Sequence, residues 1–148
     1  MLFILLVLVT VRYIKCRPIP EPAQPLFCIY TAPTSLCLTG YMQASATKSP
    51  ALVVTLMVLA CVLYLIVLAN LPRFLRLKFY PSYAAFTFPF VISAIAMKQS
   101  LAYWTQAGVS LPWLNWVVLF ETVVATVMVT YTIIRYLMFL FSAPKVKA

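Results

Sequence analysis

From Pro50 to Leu71 the chain runs for 22 residues, PALVVTLMVLACVLYLIVLANL, without one charged side chain. In apolar surroundings the backbone of such a stretch has no water to bind, so its N–H and C=O groups must pair among themselves. A helix does this, and about 20 apolar residues of helix cross a hydrocarbon core of roughly 30 Å. The rest of the chain has the same character: of 148 residues, 65% are hydrophobic and 9% charged, with a mean hydropathy of +1.03. A soluble domain carries about 25% charged residues. The sequence therefore predicts an all-α integral membrane protein, a single transmembrane domain over residues 1–148.

Reading along the chain gives about four and a half spans. Met1 to Ile14 is apolar but reaches only roughly 21 Å as a helix, so residues 1–14 read as the rear part of a span. It has neither the charged leader nor the small-residue cleavage site of a signal peptide. A stiff PIPEP loop follows from Pro18 to Pro22. The second span is predicted over 25–44, the third over 50–71 as a lipid-facing helix, the fourth over 82–97 and the last over 112–141. Between the last two, residues 98–111 read as a more polar connection, with Tyr103 and Trp104 suited to a membrane interface. Asn70 reads as a polar helix end. Spans two and four share a proline-interrupted, small-residue character that an internal duplication would explain.

The charge pattern tests this layout. Net charge is +9, from 11 basic and 2 acidic residues. Such an excess on a soluble domain would suggest nucleic acid, but here the basic residues lie between apolar runs, which is the signature of membrane topology. With alternating spans, one side of the membrane holds Arg12, Lys15, Arg17, Arg73, Arg76, Lys78, Arg135, Lys145 and Lys147, and the other only Lys48 and Lys98. That bias puts the C-terminus in the cytoplasm, with Arg135 near enough to the helix end to snorkel outward. There is no histidine, and Cys16, Cys28, Cys37 and Cys61 form no C-x-x-C pair, so they read as small apolar filler. No nucleophile–base pair, metal cluster or phosphate loop is visible. An enzyme, a cofactor, a bound metal and a nucleic-acid partner are not expected; a lipid bilayer is.

Three sets of residues could carry function. In FYPSYAAFTFPFVISAIA, Phe79 to Ala96, Pro89 falls mid-span among Phe86, Phe88 and Phe90. A proline inside a helix frees the carbonyl four residues back, here Ala85, and in lipid such a kink survives only beside protein or a watery cavity. Phe88 at the bend could close a narrow pore by excluding water, or simply pack between helices. Thr31, Ser35 and Thr39 recur every four residues around Pro33, so their hydroxyls share one helix stripe. They could line a permeation path or bond to their own helix and its neighbours. Glu121 is the one acid within a span, a functional candidate by default. It could bind a proton or pair with Lys98.

These segments resemble parts of the tellurite-resistance/dicarboxylate transporter family, which includes the plant slow anion channels. Ala85-Phe86-Thr87-Phe88-Pro89 is similar to the aromatic A-F/Y-T-F-P run of that family's ninth helix, although Ala84 and Ala85 stand where many relatives have bulkier aromatics. PLFCIYTAPTSLCLTGY, through Ala32-Pro33, is similar to its seventh. The resemblance implies ten helices in hairpins, five kinked inner helices around an anion path, and a homotrimer in the cell (plasma) membrane. It further implies a phenylalanine plug, carried onto Phe88 with Phe86 second, and malate, other C4-dicarboxylates or small inorganic anions as cargo. On that pattern the chain corresponds to the rear of helix six and helices seven to ten, a fragment whose front half is supplied in cis or in trans. The competing reading is a non-conducting membrane subunit, assembly partner or inactive fragment.

The topology is checked by a protease-cleavable tag fused after Ala148. It is expected to be digested only when protease is admitted to the cytoplasmic face.

Overall fold

Proline marks where the helices of this chain begin. A proline in the first helical turn loses nothing by its missing N–H, since that group would have no partner there. The computed structural model describes residues 2–15, 20–45, 47–77 and 80–142. Cys16, Arg17, Pro18, Lys78, Phe79, Lys145 and Lys147, considered above, lie outside them. Every described element is helical. Helix α1 is Leu2–Lys15, and a 3₁₀ segment Glu21–Thr31 leads into α2, Ala32–Ala44. Helix α3 is Pro50–Leu75; a second 3₁₀ segment, Pro81–Phe86, leads into α4, Phe88–Gln106. Helix α5 is Pro112–Ser142. Prolines occupy the first turn of α2, α3 and α4.

Three stretches, Pro50–Leu75, Pro81–Gln106 and Pro112–Phe141, are helical, long and apolar enough to cross a membrane. The expected span over 25–44 is instead a rod in two pieces of 11 and 13 residues, each too short alone. Expected boundaries also move. Helix α3 continues past residue 71, and α4 continues through the supposed connection as far as Gln106, so Lys98, Tyr103 and Trp104 are helical. Asn70 is likewise inside α3, its Nδ2 donating to the Ile66 carbonyl at 2.8 Å.

The proline of span four does not act as a mid-helix kink. The break falls two residues earlier, at Thr87, and Pro89 sits in the first turn of α4. At the break the Ala84 carbonyl accepts the Thr87 N–H at 3.2 Å and the Thr87 hydroxyl at 2.8 Å. Span two is built in the same way. Its break falls at Thr31, whose hydroxyl donates to the Cys28 carbonyl at 3.4 Å, and Pro33 opens α2. The two junctions, Thr31-Ala32-Pro33 and Thr87-Phe88-Pro89, share a T-x-P pattern. Each broken rod is followed by one continuous α-helix, α3 or α5. The described core thus consists of two hairpins of one design, and their 3₁₀ segments lie against each other. Ser82 Oγ donates to the Pro22 carbonyl at 2.6 Å, Tyr80 OH to Glu21 Oε2 at 3.4 Å, and Tyr136 OH to the Pro81 carbonyl.

Helix α3 is two-faced rather than wholly lipid-facing. Val53, Leu56, Ala60, Leu63, Tyr64, Val67, Leu71 and Phe74 are buried, while Val54, Val58, Val62 and Leu65 are exposed. Helix α5 buries only a narrow stripe: Leu114, Glu121, Ala125, Met128 and Thr132. The apolar core forms two clusters at different depths. One, toward the 3₁₀ segments, is aromatic and includes Tyr64, Phe74, Tyr83, Phe86 and Phe90. The other is aliphatic and thioether-rich, with Leu38, Met42, Met57, Met97 and Leu114. Rings meet edge-on within the aromatic cluster, Tyr83 with Phe86 at 4.9 Å and Tyr64 with Phe90 at 5.7 Å. The Arg135 guanidinium lies 5.9 Å and 6.0 Å from the ring centres of Tyr83 and Tyr131.

Phe90 is 1% exposed and Phe88 51%. Phe90→Ala is expected to cost about 3 to 5 kcal/mol through the cavity it leaves, and Phe88→Ala no more than about 0.5 kcal/mol. Reversible unfolding in mixed detergent micelles reads both.

Candidate functional site

Polar side chains in this bundle gather in two places: an open groove between α4 and α5, and a buried layer where the two core clusters adjoin. The groove exists because α4 and α5 meet through small residues. Ala94 on α4 and Ala125 on α5 line it with Val91, Ile95 and Val129, enclosing about 430 Å³. Lys98 stands at one end. Thr122, Thr126 and Thr130, four residues apart on α5, run along the wall and are exposed. On α4 the lining positions 91, 95 and 98 recur at helical spacing, and Phe88 continues the same stripe one turn earlier. The half-exposed ring therefore lies beyond the end of the groove opposite Lys98.

The threonine ladder is chemically restrained. Thr122 Oγ1 donates to the Val118 carbonyl at 2.7 Å, and Thr126 Oγ1 to the Thr122 carbonyl at 2.8 Å. In this state both hydroxyl protons are held by the helix. A hydroxyl must rotate before it can donate to an anion. Lys98 needs no such change, and is the fixed positive charge of the site.

The buried layer draws on four helices. Where the aromatic and aliphatic clusters adjoin along the helices, the chain places Ser35 on α2, Cys61 and Tyr64 on α3, Ser93 on α4 and Glu121 on α5. Glu121 is 2% exposed. Ser93 lies beside it, and Cys61 and Tyr64 are within range of its charge. Yet Glu121 Oε2, Ser93 Oγ, Tyr64 OH and Ser35 Oγ are all buried without a hydrogen-bond partner among the described residues. Native interiors leave few such groups unpaired, so their grouping at one depth marks a site.

Several sequence expectations are redistributed by this geometry. Phe86, the second choice for a plug, is fully buried, its ring edge-on to Tyr83. Thr31, at the end of the first 3₁₀ segment, and Ser35 and Thr39, on α2, are all buried, and none lines the groove. Pro33 and Pro89 shape the two junctions and not the groove wall. Glu121 and Lys98 do not pair: Lys98 is exposed in the groove, and Glu121 is turned toward Ser93. The ladder of Thr122, Thr126 and Thr130 was as legible by its spacing as the stripe on α2. Ser93 and Tyr64 carry no pattern of their own and become visible only once the helices are packed. Among the described residues Cys28, Cys37 and Cys61 are free thiols, and no group of side chains could hold a metal ion.

Comparison with protein-family models, with curated proteins and with solved structures finds no match to this chain.

If water fills the groove, a cysteine at Thr126 in a background with its native cysteines replaced is expected to react rapidly with a charged thiol reagent. A chain with Cys28 as its one cysteine, fully buried, is expected to react at least about tenfold more slowly, because thiol chemistry requires access. Mass spectrometry of reconstituted protein gives both rates.

Proposed function

We propose that this chain is a multi-pass integral membrane protein of the cell membrane and forms part of an anion channel or transporter. The α4–α5 groove is one wall of its permeation path. The observation that carries this reading is the order of groups along that groove: the fixed charge of Lys98 at one end, a threonine ladder through the middle, and the Phe88 ring beyond the other end. A single cation attracts an anion without holding it, and hydroxyls that can turn offer weak donors one after another, which is what release requires. A ring at the exit can exclude water when it lies across the path and admit it when it swings aside. No carboxylate lines the groove, so nothing in its wall repels an anion.

The resemblance in the Thr87-Phe88-Pro89 and Ala32-Pro33 segments supports the same reading and suggests the cargo, a C4-dicarboxylate such as malate or a small inorganic anion. The groove is open along one side, and closing it into a path calls for further helices. In this proposal they come from a front half in cis or in trans, within a homotrimer.

A second reading has an observation of its own. The self-bonded hydroxyls of Thr122 and Thr126 suit a surface that receives another helix, which would make the chain a non-conducting assembly subunit. Flux separates the two. In proteoliposomes holding the complete assembly, chloride or malate flux is expected, raised several-fold by Phe88→Ala and lowered several-fold by Lys98→Gln. Absence of flux from the native assembly, with none gained on Phe88→Ala, rejects the channel in favour of the subunit.

A further inference from the structure

The buried layer has work to do that the groove does not explain. Glu121 lies at the centre of the one stripe by which α5 touches the bundle, between Leu114 and Ala125. Helical geometry turns each residue about 100° from the last. Ser93 is therefore on the side of α4 away from the groove, and Glu121 about a quarter turn around α5 from it. Yet Glu121 adjoins Thr122 in sequence, and Thr122 lines the groove. The carboxyl is thus screened from the path by one layer of helix wall while remaining close to anything that occupies it.

The state of that carboxyl follows from its surroundings. An ionised carboxylate only accepts hydrogen bonds, whereas a protonated one also donates. Around Glu121 the packed elements present few charges or titratable groups. Helix α3 supplies the Cys61 thiol and the Tyr64 phenol, and α4 supplies the Ser93 hydroxyl. Lys98 is on the groove side of α4. The second 3₁₀ segment, also packed on α5, brings Tyr83 next to Arg135, which is fourteen residues from Glu121 and about 21 Å away along the helix. A bare negative charge here would have no counter-charge in a nearly dry site, and such charges neutralise by taking a proton. The neutral acid can also donate its O–H to Ser93 Oγ or Tyr64 OH, giving two of the unpartnered oxygens of this layer a bond at once.

We infer that Glu121 is a proton-binding site coupled to the groove: it carries a proton in the closed bundle, and anion occupancy of the groove and proton occupancy of Glu121 favour each other. The coupling is Coulombic. An anion beside Thr122 opposes ionisation of the neighbouring carboxyl, and by linkage a protonated Glu121 strengthens anion binding by the same factor. The event is reversible protonation of one carboxylate oxygen, with the proton exchanged with water when the layer opens. The sign follows directly. Low pH favours the loaded state; as pH rises through the titration of Glu121, the carboxylate appears behind the wall and repels the anion. This rests on the anion-transport reading for its ligand, but not for its proton.

Two measurements separate those dependences. The first is infrared difference spectroscopy on the reconstituted full chain, titrated with acid and base. It is expected to show the carbonyl band of a buried protonated carboxylic acid, lost in Glu121→Gln and lost from the native chain at high pH. Chloride is expected to move that loss to higher pH. The second is anion flux against pH, expected to fall by up to about tenfold per pH unit once the carboxyl ionises and to become independent of pH in Glu121→Gln while staying near the low-pH level. A carboxyl ionised throughout, with no protonated band at any pH, overturns the proton site whatever the flux shows. A band that chloride fails to move, together with flux that Glu121→Gln leaves pH-dependent, overturns the coupling. A protonated band with no flux of any anion leaves the proton site standing and rejects the transport reading instead.

Discussion

An unpaired backbone carbonyl cannot be left in an apolar medium, and the architecture of this chain is the answer to that constraint at two prolines. Each T-x-P junction changes helix type just before the proline and uses the threonine hydroxyl to cover a carbonyl three residues back. Proline then begins a helix instead of damaging one. The threonine thus gives the carbonyl at each bend a donor from its own rod.

The junctions also sort the aromatic residues. With the break at Thr87, Phe86 belongs to the 3₁₀ segment and Phe88 to the first turn of α4. Each helical residue turns about 100° from the last, so rings two residues apart leave on nearly opposite sides. Phe86 and Phe90 enter the core, and Phe88 stands out from it. The buried rings bind the two hairpins at one end, sulfur and aliphatic side chains bind them at the other, and the polar layer occupies the seam.

Much of this was legible in residue order. The apolar runs gave the helices, and both bends were visible as prolines within runs. Element ends were less legible. Lys98, Gln99, Thr105 and Gln106 look like a connection by polarity, yet they continue α4 because none of them breaks a helix and Ser100 and Thr105 bond back into it. The site was legible only in part. Glu121 stood out as a lone acid, but its company did not, since Ser93 and Tyr64 are ordinary residues whose meaning comes from being brought together by packing. Spacing specifies which residues of α2 share a face, while the packed neighbours decide whether that face looks inward or out; Ser35 and Thr39 look inward.

The narrow contact stripe of α5 bears on how such a chain is made. Insertion machinery hands helices to the bilayer one or two at a time, and an acidic residue near the middle of a segment opposes its partitioning by about 2.5 to 3.5 kcal/mol on insertion scales. The long aliphatic and aromatic surface of α5 offsets this, and Ser93 sits on the helix synthesised just before it. Release of α4 and α5 together, as a preassembled pair, would let Glu121 find its neighbour before either helix meets lipid alone.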